Sequence, residues 1–221
     1  MDIVTVETLF DSYLNVHTRS EAGDDAKERA SDNIYEATSY FYLERLFRAF
    51  PFEEGDHLID FGCGKGRVLF MASLYSCGHV TGVENNEKRF SALGENVRSY
   101  QQKHGARTRF DIRNCDAQSA VIGDTANKFF FFEPFNTSVY AHVVRNILKS
   151  LERRPRDAAI ILYLPEERTI KYLDTIGEFQ KEVSVGSALY YLGEELITVP
   201  NTVFYANYSM GNAIDPNLLA Y

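Results

Sequence analysis

The sequence predicts an α/β protein: a doubly wound, mostly parallel seven-stranded sheet with helices on both faces and a C-terminal antiparallel hairpin. Three observations carry that expectation. Short apolar runs alternate with apolar residues at helical spacing along most of the chain, the pattern of strand–helix crossovers. The run His57-Leu58-Ile59-Asp60-Phe61 leads into Gly62, Gly64 and Gly66 and then into the apolar Val68-Leu69-Phe70. Acidic or small polar residues follow several strand-like runs, where an open sheet collects ligands at its carboxyl edge.

Composition sets the bounds. With 221 residues, 45% of them hydrophobic, the chain can fill one sheet covered on both sides. We divide it into an N-terminal helical cap and polar connection, 1–50, and a ligand-binding domain, 51–221. The 23 basic residues against 31 acidic ones give a formal charge of -8, which argues against general nucleic-acid binding. Cys63, Cys77 and Cys115 are odd in number and lack C-x-x-C spacing, so neither a disulfide framework nor a metal site is expected. No signal-like start or membrane-length apolar run is present, so a soluble, cytoplasmic protein is expected, with no membrane partner.

In chain order, Val6, Leu9, Phe10, Tyr13 and Leu14 mark a short amphipathic helix lying against the main domain or a substrate. Residues 20–31 are polar and charged and read as a solvated connection. Asn33, with Glu36 as a capping-box partner, opens a helix whose stripe is Leu43, Leu46, Phe47 and Phe50 and which ends before Pro51. The helix after the glycines continues to Gly78, and His79–Glu84 is the second strand. Phe90, Leu93, Val97 and Tyr100 mark the next helix, then Thr108–Arg113 a third strand. Lys128–Phe132 is a continuous apolar run, the mark of a strand covered on both faces. Val139, Val143, Ile147 and Leu151 form a helix, Ala158–Leu164 a fifth strand, and Pro165 opens a helix running to Gly177. Phe179–Val185 and Val203–Tyr208 form the closing hairpin, while the apolar 189–192 and 196–199 lie between them without a convincing helix.

Glycine at every second position lets a backbone approach a ligand where any Cβ would collide. The spacing G-x-G-x-G is one residue short of the dinucleotide pattern G-x-G-x-x-G. Asp60, two residues before Gly62, would repel a pyrophosphate and attract an ammonium group. Glu84 follows Gly66 by 18 residues, about where doubly wound folds keep a carboxylate for ribose hydroxyls. The expected ligand is therefore cationic, amino-acid-like, and attached to a nucleoside.

On these residues the chain, over roughly 55–210, resembles the class I (Rossmann-like) S-adenosylmethionine-dependent methyltransferases. Asp60-Phe61-Gly62-Cys63-Gly64-Lys65-Gly66-Arg67 and Phe132-Glu133-Pro134-Phe135 look like a little-characterised bacterial-type group, which implies no particular acceptor. The resemblance implies S-adenosyl-L-methionine as cofactor, bound by Asp60, Gly62, Cys63, Gly64 and Gly66, with Glu84 on the ribose. It further implies Asp116 on the adenine amino group and the Ala117 N–H on a ring nitrogen, although an Asp after a strand also suits a helix cap. Glu133-Pro134-Phe135-Asn136 is similar to the fourth motif of amino-directed methyltransferases, in which Asn, Asp or Ser precedes two prolines and an aromatic ring; here the acid is one methylene longer and one proline is missing. Glu133 and Phe135 become the catalytic candidates, and Tyr35, Tyr40 and Asn136 the acceptor-binding ones, for a small-molecule or protein amine. Glu133 equally suits a helix cap near Thr137. An oxygen acceptor would need a base, for which His142 and His17 stand in reserve. The rivals are another class I transferase such as an aminopropyl transferase, a non-catalytic cofactor-binding protein, and a nicotinamide oxidoreductase.

Overall fold

The computed structural model describes residues 3–19, 35–132, 137–185, 188–192, 195–199 and 202–206. Nine strands are described: β1 His57–Phe61, β2 His79–Glu84, β3 Arg109–Asn114, β4 Lys128–Phe132, β5 Ala159–Tyr163, β6 Gln180–Val185, β7 Ala188–Leu192, β8 Glu195–Val199 and β9 Thr202–Ala206. The helices are α1 Ile3–Leu14, α2 Tyr40–Ala49, α3 Arg67–Leu74, α4 Glu87–His104, α5 Thr137–Arg153 and α6 Glu167–Leu173, with a 3-10 turn at Ala117–Ser119. The main sheet runs β3-β2-β1-β4-β5-β9-β6. Parallel pairing joins five of the seven strands; β9 joins β5 antiparallel and β6 joins β9 antiparallel. β6 and β9 pair antiparallel, and β7 and β8, which lie between them in the sequence, form a separate two-stranded ribbon.

Strand order reverses between β1 and β4, so the crossovers leave the sheet in opposite directions there and open a crevice at the carboxyl ends. Each central strand is wholly buried in β1 and β5, as a sheet covered on both faces requires. The Phe run of β4 divides between the faces. Phe130 packs with Leu58, Phe47 and Phe70 under α2 and α3, while Phe129 and Phe131 pack with Val143, Val144 and Ile147 of α5. Leu43, Leu46 and Phe47 belong to the same cluster as the sheet residues, so the boundary expected at 50/51 is no break in packing.

Two helices depart from expectation. The apolar stripe expected to bury α1 is turned partly outward, with Leu9 and Tyr13 just over half exposed. The buried face is Glu7, Asp11 and Leu14, at i, i+4 and i+7. Burying carboxylates is costly unless they are paired and hydrogen-bonded, and here they are. Arg67, 4% exposed, forms an ion pair with Glu7, donates from Nη1 to the Thr38 carbonyl at 3.0 Å and from Nε to Thr18 Oγ1 at 2.7 Å. Asp11 accepts from Thr18 Oγ1 at 2.7 Å, the Thr18 N–H at 3.1 Å and the Tyr40 hydroxyl at 2.6 Å. The second departure is the start of α2, at Tyr40 rather than Asn33. Its first N–H is capped from another helix: Glu7 Oε1 accepts from Tyr40 N at 3.0 Å, placing a negative charge at the positive helix end. Glu36 lies before this helix, outside any helix or strand, and Asn33 and residues 20–31 fall outside the described residues.

Replacing Arg67 by Ala leaves Glu7 buried without its cation, so the expected loss is about 3–5 kcal/mol of folding free energy. Urea unfolding monitored by circular dichroism measures it; a loss under about 1 kcal/mol, the range of exposed pairs, would mean the network is solvated.

Candidate cofactor site

The crevice at the β1/β4 reversal is walled by the loop that follows β1. Gly62 N–H and Cys63 N–H both donate to the Val83 carbonyl, at 2.8 and 3.1 Å, so the loop folds back over the end of β2. Gly64 and Gly66 have φ of +55° and +93°, in the region that favours glycine. A side chain at either position would meet the chain's own atoms. A Cβ at Gly64 would run into the ring of Tyr35, and one at Gly66 would lie 2.5 Å from Leu93 Cδ1 and 3.0 Å from Phe70 Cε2. These glycines are required by the chain's own packing.

Asp60 and Glu84 stand at the ends of adjacent strands, 3% and 4% exposed. Their situations differ. Glu84 Oε2 accepts the Gly64 N–H at 3.0 Å, and Oε1 accepts the Asn86 N–H at 2.8 Å and Arg89 Nε at 3.3 Å. Asp60 has no hydrogen-bond donor among the described residues, and burial first, then the Glu84 charge, pushes its carboxyl up to about 8. A buried carboxylate without a donor, beside one already held, suits a ligand that brings its own cation. Both loop and strand ends are therefore consistent with an ammonium group at Asp60 and hydroxyls near Glu84.

The remaining candidates divide. Asp116 is exposed and caps the 3-10 turn, its Oδ1 accepting from Gln118 N at 2.8 Å, while Ala117 is buried. Tyr35 reaches the loop: its hydroxyl donates to the Thr18 carbonyl at 2.8 Å and accepts from the Lys65 N–H at 3.4 Å. Tyr40 does not line an open pocket, because it is fully buried beneath α1, stacked on Phe10 at 4.9 Å and under the Arg67 guanidinium at 4.1 Å. Glu133, Pro134, Phe135 and Asn136 lie outside the described residues. His17 and His142 are exposed. Sequence reasoning missed Asn96, which is buried on α4 and clamps the front: its Oδ1 accepts the His17 N–H at 2.9 Å and its Nδ2 donates to the carbonyls of His17 and Lys65 at 3.1 and 3.0 Å. A lone Asn in a helix interior carries no such signal.

Solved structures share this architecture. A precorrin-6Y C5,15-methyltransferase from Geobacter metallireducens superposes with a TM-score of 0.57 at 16% identity, over 85% of this chain and 96% of that one. A SAM-dependent O-methyltransferase from Thermotoga maritima gives 0.55 at 15%, over 81% and 69%. The fold is that of the class I methyltransferases. An RNA methyltransferase from Salinibacter ruber, solved with S-adenosyl-L-homocysteine, gives 0.54 at 16%, over 77% and 93%. No protein-family model matches the sequence, and no curated protein does. Among the described residues no helix is long and apolar enough to cross a membrane, and no group of three or more His, Cys, Asp or Glu could hold a metal.

With a raised folded-state value, Asp60 keeps a proton that the unfolded chain has lost. The unfolded chain then binds fewer protons between about pH 4 and 8, so stability of the cofactor-free protein falls as pH rises through that window. Urea unfolding across this range should show that decline, and Asp60→Asn should remove it. An equal pH slope in both proteins would place the cause elsewhere.

Proposed function

We propose that this chain transfers a methyl group from S-adenosyl-L-methionine to a nitrogen acceptor, a small molecule or a protein amine, in the cytoplasm. The observation that carries the cofactor is the buried Asp60 carboxylate, without a donor among the described residues, next to Glu84 at the strand-order reversal. Asp60 takes the ammonium group and Glu84 the ribose hydroxyls. The Gly62–Gly66 loop, Cys63 included, borders the amino-acid end, and Asp116 and Ala117 meet adenine. This reading favours an ammonium-bearing nucleoside over a dinucleotide, whose pyrophosphate would face two carboxylates. The three cysteines stand free, in keeping with a reducing compartment.

The cofactor supplies an electrophilic methyl group. What the chain must add is alignment, exclusion of water and a free lone pair on the acceptor. Glu133, the residue that follows β4 in the sequence, is the candidate to hold an amine by hydrogen bonds and direct its lone pair, with Phe135 and Asn136 as further acceptor residues. An amine must shed its proton before attack, and burial favours that neutral form. Residues 1–50 serve as a cap on the cofactor domain. The net charge of -8 weighs against a general nucleic-acid acceptor, but the RNA methyltransferase among the structural neighbours makes RNA the rival to test.

Calorimetry with S-adenosylhomocysteine tests the cofactor. Ligand binding should bring Asp60 below its free value of about 8, so binding releases a proton and affinity rises with pH from about 6 toward 8. Asp60→Asn should bind weakly with no proton release. Glu84→Ala should lose about 1.5–3 kcal/mol of affinity and some stability too, since Glu84 also holds Gly64 and Asn86. Absence of binding at millimolar ligand would sink the assignment. Incubating labelled cofactor with amine, protein and RNA pools identifies the acceptor by mass, and a product methylated on oxygen would overturn the nitrogen assignment. Glu133→Gln should lower turnover far more than cofactor affinity.

A further inference from the structure

Tyr35 stands closer to the cofactor loop than an acceptor residue would. Its ring fills the space where Gly64 would carry a Cβ. Gly64 donates its N–H to Glu84, and Arg89, whose guanidinium lies 5.8 Å from the Tyr35 ring centroid, bonds the other oxygen of the same carboxylate. Lys65 Nζ lies 5.6 Å from the ring and donates to the Arg19 carbonyl at 2.8 Å. The ring therefore covers the junction between the loop and the Glu84 carboxylate, where a ribose would pass into an amino-acid tail.

We propose that Tyr35 is a wall of the cofactor site, closing the ribose-to-tail junction from the N-terminal side; this rests on the S-adenosylmethionine reading above. The arrangement is pre-organised. The Tyr35 hydroxyl is held by the Thr18 carbonyl, Thr18 is held by Asp11 and Arg67, and Asn96 ties His17 to the loop carbonyl of Lys65. A ring fixed before the ligand arrives adds contact without a cost of ordering. A ring that had to swing aside would break the Thr18 hydrogen bond and its packing on Gly64, so a wall is favoured over a plug. It also explains why helix α1 buries two carboxylates: the network they form with Arg67 anchors the segment against which Tyr35 rests.

The test compares S-adenosylhomocysteine, which carries the tail, with adenosine, which ends at the junction. Dissociation constants are measured by calorimetry for the wild type, Tyr35→Ala and Tyr35→Phe. Tyr35→Ala should weaken S-adenosylhomocysteine about tenfold or more, the scale of losing buried ring contact, while adenosine changes by no more than about twofold. Tyr35→Phe keeps the ring and should stay within about threefold of wild type for both ligands. Retained adenosine binding is the sign that the Ala variant is folded. Unchanged or tighter S-adenosylhomocysteine binding would overturn the wall, the latter in favour of a plug, and an equal loss for both ligands would overturn it in favour of a purely structural role. Failure of the wild type itself to bind S-adenosylhomocysteine would overturn the cofactor reading and the wall with it, and it appears before any substitution is made.

Discussion

The guanidinium of Arg67 holds the front of this molecule together. It sits at the first turn of α3, directly after the last glycine of the loop, where the positive end of the helix makes a cation unfavourable. Glu7 offsets that charge, and the Tyr40 ring lies under the guanidinium at 4.1 Å. A buried ion pair adds little net stability over an apolar replacement, because desolvation cancels much of the attraction. What it supplies is position. Through Glu7 it sets the start of α2, through Thr18 it sets the chain leaving α1, and both therefore lie against the glycine loop in one register.

The same economy of charge governs the crevice. Two carboxylates meet at the ends of β1 and β2, and among the described residues only one of them meets hydrogen-bond donors. Glu84 gives three of its acceptor sites to the loop and the start of α4, which shapes the crevice. Asp60 is left buried, with its charge suppressed by that burial and by Glu84. A group in that state responds strongly to an incoming cation, since the added positive charge offsets the burial and the Glu84 charge that suppress its ionisation. Structure and electrostatics thus favour the same class of ligand, one carrying an ammonium group.

Sequence periodicity was least informative where polar groups are buried. For α1 it selected Val6, Leu9, Phe10, Tyr13 and Leu14, because apolar residues normally define the inward face. The helix is instead rotated toward Glu7 and Asp11, which Arg67, sixty positions from Glu7, and the donors Thr18 and Tyr40 on Asp11 make tolerable. Gly64 and Gly66 are positions that tolerate no Cβ, and the atoms of the chain that a Cβ would meet there belong to Tyr35, Leu93 and Phe70. The ribbon of β7 and β8 left only short apolar runs, which periodicity alone does not distinguish from buried helix.

By itself the sequence determined the strands and helices of the parallel core, the left-handed glycine turn after β1, and the acids at the ends of the first two strands. These are local properties, set by side-chain spacing and by what backbone angles a residue permits. Only the tertiary structure decided which face of α1 is buried, that Asp116 caps a turn, that Tyr40 is core while Tyr35 lies on the loop, and that among the described residues Glu84 meets donors and Asp60 does not. Each of those depends on partners distant in the chain, and the free energy of a buried polar group is set by what it meets there, not by its neighbours in sequence.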